Sequence, residues 1–121
     1  MTKFLQGNVR SLNTSSKFVE DLCIKEDIKI LCLSEIWHPD VENLNFLQKW
    51  KWYEALRLHK EGGGTAIIVR PDVKTLPRKD ITGELEMTWC EIFIRDTKVL
   101  LGSVYIRPDD AVSMGIHAAS L

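Results

Sequence analysis

Apolar positions along this chain fall into short, strand-length runs interrupted by one stretch with helical spacing. Residues 3–9 read as a strand. Asn13-Thr14-Ser15-Ser16 then offers side-chain oxygens that can take up the free backbone N–H groups of a first helical turn. Phe18, Val19, Leu22 and Cys23 follow at helical spacing and predict one apolar stripe on a short helix. Ile28-Lys29-Ile30-Leu31-Cys32-Leu33-Ser34 is mostly apolar and reads as a buried strand. The order strand, helix, strand points to a right-handed crossover between parallel neighbours, although crossovers of other kinds fit the same pattern.

After Glu35 the pattern loosens. Val41, Leu44, Leu47 and Trp50 fit a short helix within a long loop, and Trp52 to Leu58 fits a strand. Glu61-Gly62-Gly63-Gly64 turns the chain into a strand over Thr65–Arg70, because glycine adopts backbone angles that other residues resist. A glycine run also suits a phosphate cradle, but this one lacks the Lys-Ser/Thr of a P-loop. Pro71 and Pro77 bracket a predicted loop. Met87 to Ile94 alternates, with Trp89, Glu91 and Phe93 on one face and Cys90, Ile92 and Ile94 on the other; Arg95-Asp96-Thr97 makes a hairpin-like turn into a strand over 98–106. There is no internal repeat and no low-complexity segment. From Ala111 onward no periodicity is usable, so 111–121 stands as an unassigned tail after a domain over 1–110.

The chain of 121 residues has room for one domain with a core. A formal net charge of −1 gives no electrostatic sign of a nucleic-acid binder, yet it leaves room for an enzyme that touches few phosphates. Cys23, Cys32 and Cys90 show no C-x-x-C spacing and read as buried thiols of a reducing compartment. No signal-like N-terminus and no membrane-length apolar run is visible, which predicts an intracellular protein that does not engage a membrane.

Chemistry concentrates at three strand ends. Lys3-Phe4-Leu5-Gln6-Gly7-Asn8 delivers an amide, residues 28–35 deliver the Glu35 carboxylate, and Val99 to Tyr105 delivers a phenol. An amide, a carboxylate and a phenol brought to one end of a sheet suit a cation and a phosphate. Each has a structural alternative: Asn8 bonding its own backbone, Glu35 as a solvated loop carboxylate, Tyr105 as a half-buried core ring. Arg10 and Arg107 are candidate phosphate contacts that a solvated position would explain equally. Trp37, on the loop after Glu35, is a candidate nucleotide contact. His38, His59 and His117 read as surface histidines.

Four segments together resemble the endonuclease/exonuclease/phosphatase family: Gln6-x-Asn8-x-Arg10-Ser11-Leu12, Leu33-Ser34-Glu35-Ile36-Trp37, Gly62-Gly63-Gly64-Thr65-Ala66-Ile67-Ile68-Val69-Arg70 and Gly102-Ser103-Val104-Tyr105-Ile106-Arg107-Pro108. The likeness is greatest to the apurinic/apyrimidinic-type endonuclease domain of non-LTR (LINE-type) retrotransposons. It covers about residues 3 to 109 and, by implication, the N-terminal half of that domain. The resemblance implies an α/β fold: a mixed β-sheet with flanking helices, here an incomplete, truncated four-layer sandwich supplying roughly one sheet's worth of strands. It implies Glu35 as the metal-binding glutamate, Asn8 as the strand-end asparagine that orders the metal and catalytic groups, and Tyr105 as the tyrosine facing the scissile phosphate.

The family completes its site with an Asp-x-Asn on a later strand and a Ser-Asp-His near the end of the domain, and this chain has neither. Asp109-Asp110 directly follows Pro108, and His117 follows Ile116. The expectation is therefore a Mg²⁺- or Mn²⁺-dependent DNA-nicking phosphodiesterase of retrotransposon type that binds its metal weakly and is inactive as this isolated chain. The alternatives are a non-catalytic relic or interaction module of the same fold, and a phosphatase-branch member acting on another phosphoester. DNA is the expected partner of the full family domain, with self-association through an exposed sheet face. A retrotransposon origin would place the protein in the nucleus.

Overall fold

The computed structural model describes residues 2–56, 62–81 and 86–105, with the backbone of 117–120. Strand β1 (Lys3–Asn8) leads through helix α1 (Leu12–Glu26) into β2 (Ile28–Ser34), and β1 and β2 pair in parallel with Asn8 opposite Ser34. Two 3-10 turns, Val41–Asn43 and Leu47–Lys49, stand where a short helix was expected. Then come β3 (Lys51–Ala55), β4 (Thr65–Val69), β5 (Lys74–Pro77), β6 (Glu86–Ile94), β7 (Thr97–Tyr105) and β8 (His117–Ser120).

These strands build two sheets: β3-β4-β2-β1-β8, which is mixed, and the antiparallel β5-β6-β7. The expectation of a single sheet's worth of strands is thus corrected. Leu31 and Leu33 of β2 and Ala66 and Ile68 of β4 pack under α1 with Leu12, Val19 and Cys23. The alternate residues Ile30, Cys32, Ile67 and Val69 pack against Cys90 and Ile92 of the second sheet. Successive strand side chains point to opposite faces, so a central strand covered on both sides must be apolar at every position, as β2 and β4 nearly are. The layers are helix, sheet, sheet, which is an incomplete four-layer α/β sandwich.

Helix α1 departs from its predicted stripe and cap. Val19 and Cys23 are buried, but Phe18 is exposed and Glu20 takes a buried place instead. The helix begins at Leu12 rather than after the Asn-Thr-Ser-Ser run, and no side chain caps it. The hydroxyls of Thr14 and Ser15 donate to the Ser11 carbonyl, and Asn13 is engaged elsewhere. Asp27, in the left-handed region at φ 52°, ends the helix by donating its N–H to the Cys23 carbonyl.

Two further expectations change. The predicted loop between the prolines contains β5, an edge strand whose Pro77 sits at its end, where a missing N–H is tolerated. The segment without periodicity contains β8, antiparallel to β1 with His117 in register with Gln6. A strand this short offers too few positions for a pattern to emerge. The outer face of the second sheet carries Leu76 and Leu100, each about half exposed (48% and 47%), on either side of Glu91. Trp89 lies flat over Gly102 on that sheet, where a Cβ would meet its ring at 2.5 Å. Among the described residues no helix is long and apolar enough to cross a membrane.

All three cysteines are free and buried. Burial pushes the Cys23 and Cys32 thiols up to about 12 and Cys90 to about 11, from an ordinary value of 9.0. The folded thiols stay protonated while those of the unfolded chain ionise, so their contribution is whole below pH 9 and is lost as pH rises toward 12. The melting temperature is expected to fall across that window, and native thiols to react slowly with alkylating reagents at neutral pH. A flat melting profile with rapid labelling would contradict this packing.

Candidate active site at the strand ends

Beyond the last residues of β1 and β2, the two chains stay hydrogen-bonded. The N–H groups of Val9, Ser11 and Leu12 donate to the carbonyls of Ser34 (3.0 Å), Glu35 (2.8 Å) and Ile36 (3.2 Å). From the other side, Ile36 and Trp37 donate to the carbonyls of Gly64 (3.4 Å) and Gly63 (2.9 Å). Segment 35–37 is thus clamped between the extension of β1 and the glycine turn. Gly62, Gly63 and Gly64 have φ of 80°, 63° and 82°, so the run serves as a turn, as its composition suggested.

That clamp holds backbone conformations that are costly for residues with a Cβ. Arg10 (44°), Ser11 (73°), Glu35 (53°) and Trp37 (62°) all have positive φ. Each such residue costs on the order of 1–3 kcal/mol and persists where its surroundings over-determine it, and such residues gather at functional sites. Here four meet at one rim.

The side chains converge at the same place. The Tyr105 hydroxyl donates to Glu35 Oε1 at 2.9 Å, across 70 positions of sequence and from one sheet to the other. Tyr105 is 6% exposed at the end of β7, on the inward parity shared by Ser103 and Leu101. Asn8, opposite Ser34, stands one position from Glu35 on the neighbouring strand, and its Oδ1 accepts the Arg10 N–H at 3.3 Å. This asparagine therefore bonds local backbone while sitting at the rim. Arg10 and Trp37 are exposed on either side. Arg107 lies outside the described residues, as does His59; His38 is exposed.

Below the rim the two sheets are tied by polar groups absent from the sequence reading. Thr65 Oγ1 donates to the Leu33 carbonyl at 3.1 Å and lies within hydrogen-bonding distance of Ser103 Oγ. Glu86 Oε1 accepts the Gly64 N–H at 3.1 Å, fixing the turn that fixes Glu35. On the outer side, helix α1 holds the following loop. Asn13 donates to the His38 carbonyl (3.2 Å) and accepts from the Asp40 N–H (2.7 Å). Glu20, 3% exposed, accepts from the N–H groups of Asn45, Phe46 and Leu47 at 3.4, 3.0 and 3.4 Å. The signal for Glu20 was present as a carboxylate on the apolar stripe, which a buried site tolerates when donors satisfy it.

A hard divalent cation takes carboxylate oxygen and keeps several waters. Glu35 fits: it is half-buried, Tyr105 orients one oxygen, and Oε2 carries no hydrogen bond among the described residues. No cluster of three or more His, Cys, Asp or Glu able to hold a metal occurs among those residues. The cavity under the rim, lined by Gln6, Ser34, Gly102 and Ser103 among others, is about 40 Å³, room for water and too small for a substrate. A larger depression of about 430 Å³ beside β3 includes none of Asn8, Glu35 and Tyr105. Its Arg78 is already committed to Asp80 and Glu91.

The sequence profile of the Endonuclease/Exonuclease/phosphatase family matches residues 5–116. The chain belongs to that family. Among solved structures, the endonuclease domain of TRAS1, a telomere-specific non-LTR retrotransposon, matches with a TM-score of 0.67 at 19% identity, over 91% of this chain and 48% of its own. The 3′ phosphatase NExo from Neisseria, bound to a product DNA hairpin, matches with a TM-score of 0.50 at 22% identity, over 83% of this chain and 40% of its own. The chain spans less than half the length of either, and these likenesses show the fold. No curated protein matches at a significant level.

Substitution Gly64→Ala places a Cβ 3.2 Å from Ile36 Cγ1 and 3.3 Å from the Trp37 carbonyl, at φ 82°. A loss of about 1–2 kcal/mol is expected by chemical denaturation from the left-handed strain alone. A wild-type midpoint in this variant would show that the glycine turn does not constrain the Glu35 segment.

Proposed function

We propose that the rim is a Mg²⁺- or Mn²⁺-binding phosphodiester site of the DNA-nicking, retrotransposon type, and that this chain by itself does not turn over. The observation carrying this reading is the Tyr105–Glu35 hydrogen bond at 2.9 Å, on a strained and clamped rim with Asn8 alongside. Glu35 would hold the cation, which when bound neutralises charge on a phosphate oxygen. Tyr105 fixes the Glu35 carboxylate by donating its one hydroxyl proton to Oε1. Asn8 offers an amide to the metal's water shell or to phosphate, and Arg10 an exposed guanidinium. Arg107 follows Tyr105 by two positions and is assigned to phosphate on sequence grounds.

The Gln6-x-Asn8-x-Arg10-Ser11-Leu12 and Gly62-Gly63-Gly64-x-Ala66-Ile67 segments resemble the retrotransposon branch more than the phosphatase branch, which ranks DNA above another phosphoester substrate. A single carboxylate ligand supports weak metal binding, and groups that act as a unit fail together when some are missing. Conversion of supercoiled plasmid to nicked circle in millimolar Mg²⁺ or Mn²⁺ should stay at background. Mn²⁺ should still bind in the millimolar range, several-fold more weakly in Glu35→Gln. Metal-dependent nicking abolished by Glu35→Gln would overturn the inactivity, and Mn²⁺ binding indifferent to Glu35→Gln would overturn the metal site.

The half-exposed Leu76 and Leu100 support self-association through the outer face of β5-β6-β7, tempered by Lys74 over the Phe93 ring at 4.8 Å and by Lys98 near Glu91. Sedimentation should show concentration-dependent association that Leu76→Lys with Leu100→Lys reduces. An unchanged distribution would place the contact elsewhere.

A further inference from the structure

We propose that Trp37 is a specificity-determining residue that stacks on an unpaired nucleobase beside the phosphate engaged at the rim, so that the site selects single-stranded or unpaired nucleotides. This inference deepens the phosphodiester reading and rests on it.

Three of the four tryptophans have structural work. Trp50 packs against the core and against Phe46, with ring centroids 5.6 Å apart. Trp52 packs on the same core and donates its indole N–H to the Leu47 carbonyl at 2.8 Å. Trp89 covers Gly102. Trp37 belongs to neither buried cluster, is 39% exposed, and its indole N–H makes no hydrogen bond among the described residues.

Its backbone is costly as well. A tryptophan at φ 62° gives up stability that glycine would keep, and 39% of the residue's surface still stays in solvent. Yet the position is tightly held. Its N–H donates to Gly63, and Asn13 grips the next carbonyl, that of His38, together with the Asp40 N–H. Glu20 anchors the same loop at residues 45–47. An aromatic ring kept exposed on a pinned loop, two positions from Glu35, is preorganised for a flat apolar ligand. At a phosphodiester site that ligand is a base. A base within a duplex already has both faces occupied, so an unpaired base is the fitting partner. The near-neutral chain, with a net charge of −1, also needs a contribution beyond phosphate contacts.

The test compares two strands of equal length and charge, an oligothymidylate and an abasic sugar-phosphate strand, titrated onto the full chain in Mn²⁺ at low salt. Binding is followed by anisotropy of a labelled strand. The wild type should prefer the base-bearing strand by about 5- to 150-fold, the range expected for one base–aromatic stack. Trp37→Gly should bind both strands alike while still melting cooperatively, the relieved left-handed strain offsetting part of the lost packing. Trp37→Phe should retain most of the preference. Equal binding of the two strands by the wild type, no binding of either, or a preference that survives in Trp37→Gly each overturns the proposal. Mn²⁺ affinity of Glu35→Gln, measured in parallel without a strand, reports separately on the phosphodiester reading.

Discussion

The candidate site depends on the clamp around segment 35–37. Strand β2 delivers Glu35 to the end of the sheet, but a strand end alone would leave it on a free loop. Five backbone hydrogen bonds, three from residues 9–12 and two to the carbonyls of Gly63 and Gly64, force Glu35 and Trp37 into left-handed conformations and hold them there. The sequence meets this demand with the residue type best suited to donate carbonyls from a tight turn, a glycine run, and with Glu86 to hold the run's last N–H. Tyr105 can then reach Glu35 from the second sheet because β6 and β7 pack face to face against β2 and β4.

Much of this was legible in the sequence. The alternating β6, the hairpin into β7 and the glycine turn follow from periodicity and turn chemistry, and the parallel β1-α1-β2 unit is one of the crossovers that the strand, helix, strand order allowed. Glu35 and Tyr105 were marked by one feature, a polar group where an apolar run stops, and their side chains are hydrogen-bonded to each other. Asn8 reached the rim too, although its side chain also serves its own backbone.

What escaped the sequence has a common cause in side chains that work through the main chain of distant segments. Asn13 looked like a cap for its own helix, yet its amide is taken by His38 and Asp40. Glu20, a carboxylate at the apolar stripe, accepts three N–H groups from the loop at 45–47. Phe18 is exposed in consequence, because the helix is rotated to bury Glu20 with Val19 and Cys23. The short strands β5 and β8 escaped for a different reason. Four residues at a sheet edge carry no period, and their pairing is set by neighbours already in place.

Amide hydrogen exchange resolved to single residues tests the clamp most directly. If segment 35–37 is held as described, the N–H groups of Ser11, Leu12, Ile36 and Trp37 should exchange as slowly as those of the central strands β2 and β4, because releasing them requires opening the sheet ends. Exchange at these four positions at the rate of an exposed loop, while β2 and β4 stay protected, would show that Glu35 rides on a loose segment and that the site is not built by the fold.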